Sequence, residues 1–359
     1  MVQPRQRCLG ERAAAASRPC LHGGSRRGKP AFRNPPPVTI PARLHFCWIG
    51  PSLPWAYVFA LLSAAARSDL PEIILHHTDA LDDGPAVRAL GAAARVRLDR
   101  TDPHACLAAV GGRLGLGDAL GRLYRGLDSP VMRTDVLRAA ILYQQGGIYL
   151  DLDTITVASL RPLLAARQFV GSEFIVWPQV VRASRSPIVR TRYLALDVLR
   201  KMLRRLPQGW KAFRRVEHLY FRGVNNAVMG AEPNAPLFEA YLRAMTAVPA
   251  ERLREPYALG PDLLQETADR YRQDDLVVHD PAVFYPLPPR ISELWFRIGR
   301  RAPLHEVLSA ETRVVHWYAS VRTKARVALI DPAYVRAHRE RQLYSALVCA
   351  NVPDLPAAS

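Results

Sequence analysis

The sequence predicts an α/β fold: a Rossmann-like central mixed sheet, mainly parallel, flanked by helices. Three observations predict it. Short β-branched and aromatic runs alternate with helical runs through the first 150 residues, as strands do when they return through crossover helices. A long run without breakers, Val131 to Gln145, ends at Gly146-Gly147 and passes directly into Ile148-Tyr149-Leu150, a helix feeding a strand. A content of 49% apolar and 23% charged residues is ordinary for a chain that buries a sizeable core.

In order, residues 1–37 read as a disordered basic tail rich in Pro, Gly and Arg that ends in Pro35-Pro36-Pro37. A single domain is expected over 38–330, and a C-terminal helix with a frayed end over 331–359. Residues 43–49 form a first strand stopped by Gly50-Pro51. Pro54 to Arg67 is a helix, and 71–76 a second strand ending near His76-His77, which reads as a solvated pair because neighbours on a strand point apart. Asp79 follows that strand, where Rossmann-like sheets bind nucleotides. A third strand spans 94–98 and a short helix 103–110. The glycine-rich stretch Gly111 to Gly126 reads as a mobile loop over the site. Beyond residue 153, the sequence predicts a strand over 154–157, a hairpin from 169–171 and 174–177, and a basic amphipathic helix over 194–206. A helix over 237–245, a helix start at Gly260-Pro261, and strands at 276–279 and 283–285 complete the pattern.

The chain is organised around Ser129 to Asp153. Ser129 is a good N-cap and Pro130 suits the first helical position. Asp135 and Arg138 share a helix face. Asp151 and Asp153 face the same side if the strand continues to Asp153. Two carboxylates at a strand end suit Mg²⁺ or Mn²⁺ shared with phosphate oxygens. Taken singly, the aspartate pair also reads as an exposed turn, and Asp135 with Arg138 as a surface ion pair.

Arg133, Asp135, Arg138, Leu142, Tyr143, Gly146, Gly147, Tyr149, Asp151 and Asp153 together resemble the signature of the DXD-containing sugar-transferase family. That family groups yeast mannosyltransferases, α1,4-galactosyltransferases and the large clostridial glucosylating toxins. Thr134 stands where serine is usual. The first strand, with Ile40-Pro41, His45, Trp48 and Gly50, is similar to the family's opening motif. Asn226, Gly230, Ala231, Pro233 and Pro236 resemble a later block, with Ala235 in place of its histidine. Near the C-terminus His316 and Ser320 remain, but Val321 stands where tryptophan is usual.

The resemblance implies a GT-A nucleotide-sugar transferase fold and a retaining hexosyltransferase that works by front-face displacement. It implies that Asp153, helped by Asp151, holds Mn²⁺ or Mg²⁺ on the donor diphosphate, with His316 meeting the metal or the diphosphate and Ser320 helping to hold metal and phosphate, so that either of the two completes the metal site. Arg322 and Lys324 are further phosphate candidates. Asp135 and Arg138 would grip the hexose, Asp151 would also meet ribose or sugar hydroxyls, and Asn226 (or Asn225) would shape the sugar pocket. Trp48 would stack on the base, which favours a UDP-hexose over GDP-mannose. Core roles for Trp48 and His316 are the bland alternatives. The acceptor is a saccharide, a lipid-linked saccharide, a protein or a small product.

The net charge is +17, of which residues 1–40 supply seven, leaving ten for the rest. Such a surplus suits anionic partners. Without a helix-turn-helix, zinc-finger or RNA-recognition signature, nucleic acid is disfavoured. The basic residues Arg200, Lys201, Arg204, Arg205, Lys211, Arg214 and Arg215 read either as a solvated face or as contact with an anionic membrane or acceptor. Five cysteines without a Cys-x-x-Cys support neither disulfides nor zinc. No apolar run approaches the roughly 20 residues of a membrane span. A cytoplasmic location, with peripheral contact to the inner membrane face, is the expectation. A nucleotide-sugar hydrolase and a non-catalytic membrane- or nucleic-acid-binding module are the alternatives in other classes.

Overall fold

The computed structural model describes residues 39–359 except 207, 256, 290, 300, 320–323 and 357–359. The basic tail, Ser320, Val321 and Arg322 lie outside the described residues, as does the side chain of Lys324.

The strands are β1 (Arg43–Trp48), β2 (Glu72–His77), β3 (Val96–Arg100), β4 (Gly147–Leu150), β5 (Thr154–Thr156), β6 (Gln168–Ile175), β7 (Phe221–Ala231), β8 (Leu276–His279) and β9 (Val314–His316). The first helices are α1 (Trp55–Arg67), α2 (Pro85–Ala92), α3 (Pro103–Arg113), α4 (Ala119–Arg125) and α5 (Pro130–Gln145). Then come α6 (Gln179–Arg182), α7 (Pro187–Arg205), α8 (Gly209–Val216), α9 (Pro236–Thr246), α10 (Pro261–Arg270) and α11 (Pro281–Phe284). The last are α12 (Leu304–Val307), α13 (Lys324–Val327), α14 (Pro332–His338) and α15 (Leu343–Asn351).

Seven strands form one sheet in the order β3-β2-β1-β4-β7-β6-β8, and β5 pairs with β9 in a two-stranded ribbon. β3, β2, β1 and β4 run parallel, and only β7 opposes its neighbours. This is the expected mixed, mainly parallel α/β sheet. The chain lays β2 and β3 on one side of β1, then returns to place β4 on the other. In open α/β sheets ligands bind in the crevice at the carboxyl ends of strands flanking such a reversal. Trp48 ends β1 there, and Asp151 follows β4.

Helices α3, α4, α5, α9 and α10 cover one face through a core that includes Leu137, Ile141, Phe238 and Tyr241. α1 and α2 cover the other through Val58, Leu61, Ile73 and Ile148. A third core, centred on Trp295, Trp317 and Tyr344, packs α15 against α1 and the β5–β9 ribbon.

Three expectations are corrected. Residues 111–126 are not a loop over the site: α3 runs on to Arg113 and α4 occupies Ala119–Arg125, with Leu120 and Tyr124 buried in the first core. Gly111 lets the turn between the two helices fold back onto α3, since a Cβ there would stand 2.3 Å from the Gly117 carbonyl oxygen. Residues 168–175 form one strand rather than a hairpin, because β7 and β8 flank it on both edges. Val283 and Phe284 lie in α11, where Pro281 at the first helical position favours a turn over a strand.

Candidate active site

The centre is built on α5. Ser129 Oγ accepts from the Met132 N–H at its start, and Gly146 ends it at φ +63°. Gly147 follows at φ +107°, and a Cβ there would stand 2.8 Å from His45 Nε2. The Gly146 carbonyl lies 2.9 Å from His45 Nε2 and can only accept, so His45 carries its proton on Nε2. Its Nδ1 then accepts from His76 Nε2–H at 2.9 Å. Burial pushes the His45 pKa down to about 3 and that of His76 down to about 4. The expected solvated pair is thus corrected: His76 and His77 point apart as predicted, but both are buried, His76 behind Thr101 and His77 against the Asp79 carbonyl. Asp79 itself closes the Gly50 turn, accepting from the Gly50 N–H at 2.8 Å.

Asp135 and Arg138 are buried, not a surface pair. Arg138 is a clamp. One terminal nitrogen lies 2.9 Å from Asp151 Oδ1 and 3.0 Å from the Asn226 carbonyl, the other 3.4 Å from Asp135 Oδ1. Its guanidinium sits 4.8 Å over the Tyr149 ring, the stacked, forked geometry that arginine alone supplies. The Tyr149 hydroxyl donates to Asp151 Oδ1 at 2.8 Å. Asn226 Nδ2 donates to Asp135 Oδ1 at 2.7 Å. Burial raises the Asp135 carboxyl to about 6, more than Arg138 pulls it back.

The two motif aspartates converge by a turn and not by a pleat. β4 stops at Leu150, the Asp151 N–H donates to the Ala227 carbonyl, and the Thr154 hydroxyl donates to the Asp151 carbonyl. β9 then delivers His316 opposite Thr154. Asp151, Asp153 and His316 each offer a ligand atom, all within 4.8 Å of one another. His316 Nε2 is 2.9 Å from Asp153 Oδ1, and the Ala319 N–H donates to Asp153 Oδ2 at 2.7 Å. Burial opposes ionisation of Asp153, but His316 and these hydrogen bonds outweigh it and hold its pKa below the carboxylate range. Burial holds Asp151 above that range. Two carboxylates and one imidazole in this space fit a divalent ion such as Mn²⁺.

These groups line a cavity of about 480 Å³ that also takes in Asn225, Glu173 and Tyr318. Adjacent residues on a regular strand face opposite ways, yet Asn225 and Asn226 both reach it. The β6–β7 register explains this: Val170 pairs with Met229 but Gly171 pairs with Asn225, so residues 226–228 bulge out of the ladder and re-aim the side chains. Gly260 closes the wall, where a Cβ would lie 3.1 Å from Asp135 Oδ2 and 3.3 Å from Asn226 Nδ2.

Glu173 was not singled out in the sequence. Asn225 Nδ2 donates to it at 2.8 Å and the Tyr318 hydroxyl at 2.5 Å, and burial raises its pKa. The only sequence signal is a lone acid within the apolar run Phe169 to Trp177. Trp48 is not among the cavity-lining residues. It packs half-buried on Tyr57 at 5.3 Å between ring centroids. Tyr57 is close enough to Asp153 and Asp151 that their charge adds to burial in raising its hydroxyl to about 12.

Folds similar to this one include the PaToxG glycosyltransferase, at 14% identity over 64% of this chain and 69% of that one, with a TM-score of 0.38. The UDP-bound glycosyltransferase domain of the YGT toxin is similar at 12% identity over 68% and 80%, with a TM-score of 0.37. Mouse xyloside xylosyltransferase 1 is similar at 14% identity over 76% and 96%, with a TM-score of 0.40. No curated protein sequence matches the chain. Residues 119–170, which carry α5, β4 and both motif aspartates, match the family model described as the glycosyltransferase sugar-binding region containing DXD motif. The resemblance carried by the motif residues is therefore matched over the stretch that builds the site, the one that holds both aspartates of the candidate metal triad.

Proposed function

We propose that the protein is a metal-dependent, retaining hexosyltransferase. It takes a hexose from a nucleotide sugar, a UDP-hexose before GDP-mannose, and passes it to a hydroxyl of a saccharide, a lipid-linked saccharide or a protein. One observation carries the reading: Asp151, Asp153 and His316 converge in the same cavity as Asp135, Asn226 and Glu173.

Asp151, Asp153 and His316 are the residues to hold the divalent ion, which when bound offsets the charge that develops on the leaving diphosphate. Asp135, its second oxygen facing Gly260, accepts from hexose hydroxyls, and the Asn225 and Asn226 amides offer both donors and acceptors. Arg138 is a positioning residue: its hydrogen-bonding capacity goes to Asp135, Asp151 and the Asn226 carbonyl. Glu173, held by neutral donors alone, keeps acceptor capacity toward the cavity. Trp48, beside Tyr57, is the platform for the base. In the front-face displacement that the resemblance implies, the C1–O bond to the diphosphate breaks as the acceptor oxygen bonds C1 on the same face. The acceptor's proton passes to the departing diphosphate oxygen. The free cysteines Cys47, Cys106 and Cys349 accord with a reducing compartment.

The test is nucleotide diphosphate release from UDP-glucose, UDP-galactose, UDP-N-acetylglucosamine and GDP-mannose with Mn²⁺, run beside Asp153→Ala. Release from one donor, lost in the variant, supports the proposal. No release from any donor, with no thermal shift by any of them, overturns it.

A further inference from the structure

The surplus of positive charge has an address. Residues 179–216 hold eleven basic residues and one acid, Asp197, a surplus of ten. That equals the whole surplus of residues 41–359, so the rest of that span is neutral. Part of the charge is spent internally. Arg200 is buried against Asp197, which also pairs with Lys201; Arg204 pairs with Glu293, Lys211 with Glu306 and Arg182 with Asp262. Arg185, Arg190, Arg192, Arg205 and Arg215 are exposed and carry no ion-pair partner among the described residues.

The same segment exposes apolar side chains. On α7 and at its end, Ile188 is 80% exposed, Leu194 55%, Val198 48%, Met202 59% and Leu206 51%. At 3.6 residues per turn these five fall within an arc of roughly 120°. Arg190 and Lys201 border it on one side and Arg192 on the other, with Arg205 inside it. The opposite face, Leu196 and Arg200, is buried on the domain, so the apolar arc is a second, uncovered one. The one acid of the helix, Asp197, lies on the buried side. A helix with an apolar stripe between basic borders and no exposed carboxylate has the makeup of one that lies in a lipid interface.

We infer that α7 seats the protein on an anionic lipid surface, inserting Leu194, Val198, Met202 and Leu206 while Arg190, Arg192 and Arg205 meet the headgroups. Charge selects this occupant. A second copy would set the same positive borders against each other, and residues 1–40 are themselves basic. The segment starts beside the cavity, with Arg182 in its lining and Trp177 just ahead of it, so seating α7 brings the cavity toward the lipid headgroups. A lipid-linked or headgroup-proximal acceptor reaches it there. The inference rests on no donor assignment, and its test reads lipid binding, not transfer.

The test is co-sedimentation of the full chain with phosphatidylcholine vesicles, with and without phosphatidylglycerol, at low and high salt. The triple variant Leu194→Gln/Val198→Gln/Met202→Gln keeps every charge, and unchanged thermal unfolding certifies its fold. Binding to the phosphatidylglycerol vesicles is expected to persist in part at high salt and to fall roughly tenfold or more in the triple variant. Equal binding to both vesicle types, or undiminished binding by the triple variant, overturns the inference, the latter by assigning lipid contact to the basic tail. A dimer in solution that the triple variant makes monomeric overturns it too, by marking α7 as a self-interface.

Discussion

The Asp135 carboxyl is buried at a cost to the stability of the fold. Burial lifts its carboxyl from 3.8 to about 6 even with Arg138 beside it. Ionising it in the folded protein therefore costs about 3 kcal/mol more than in the unfolded chain, at roughly 1.4 kcal/mol per pH unit. The sign follows from linkage. Between about pH 4 and 6 the folded state binds more protons than the unfolded one, so this group's contribution falls as pH rises through that window and stays low above it. Asp135→Asn removes the ionisation while keeping an oxygen for the Asn226 amide and the Arg138 guanidinium. The variant should be more stable than the parent by about 1–3 kcal/mol at neutral pH, and close to it below about pH 4. Urea unfolding of both proteins across pH 4 to 8 measures this. Nucleotide release with the preferred donor should disappear in the same variant, because an amide cannot supply the second acceptor oxygen. A variant less stable than the parent at pH 7.5, or a difference that does not change with pH, refutes the account of Asp135 as a carboxylate ionised against its surroundings.

Arg138→Met should have the opposite effect on stability. It leaves Asp135 and Asp151 buried without their shared counter-charge, and breaking such a pair costs about 3–5 kcal/mol. Denaturant unfolding reads the loss, and adding Asp135→Asn should recover part of it. Acid should destabilise the fold through His45 and His76. Both are kept neutral in the folded state, down to about pH 3 and pH 4, but protonate near 6.5 when unfolded. Their stabilisation is full above pH 6.5 and declines below it by roughly 1.4 kcal/mol per pH unit for each imidazole. A His76→Asn variant with an unaltered acid slope would remove this explanation.

The sequence by itself determined the parts of the site that local spacing controls. Ser129 and Pro130 start α5, Gly146 and Gly147 end it, and the i,i+3 interval puts Asp135 and Arg138 on one face. The motif residues lie close together in the chain, so their order survives in the structure and carries the resemblance that residues 119–170 bear out. Tertiary structure decided what depends on burial and on partners far along the chain. His316 joins Asp153 across 163 residues only because β9 pairs with β5. Asn225 and Asn226 share a cavity only because β7 bulges against β6. Glu173 became visible only once β7 brought Asn225 beside it and the chain after β9 brought Tyr318. The basic segment shows the same limit from the other side. Its charge was countable in the sequence, but which arginines are buried, which are paired, and which apolar arc of α7 stays uncovered were settled by packing. Spacing fixes neighbours within a few residues of one another, whereas desolvation and hydrogen bonds between distant segments exist only once the chain has closed on itself.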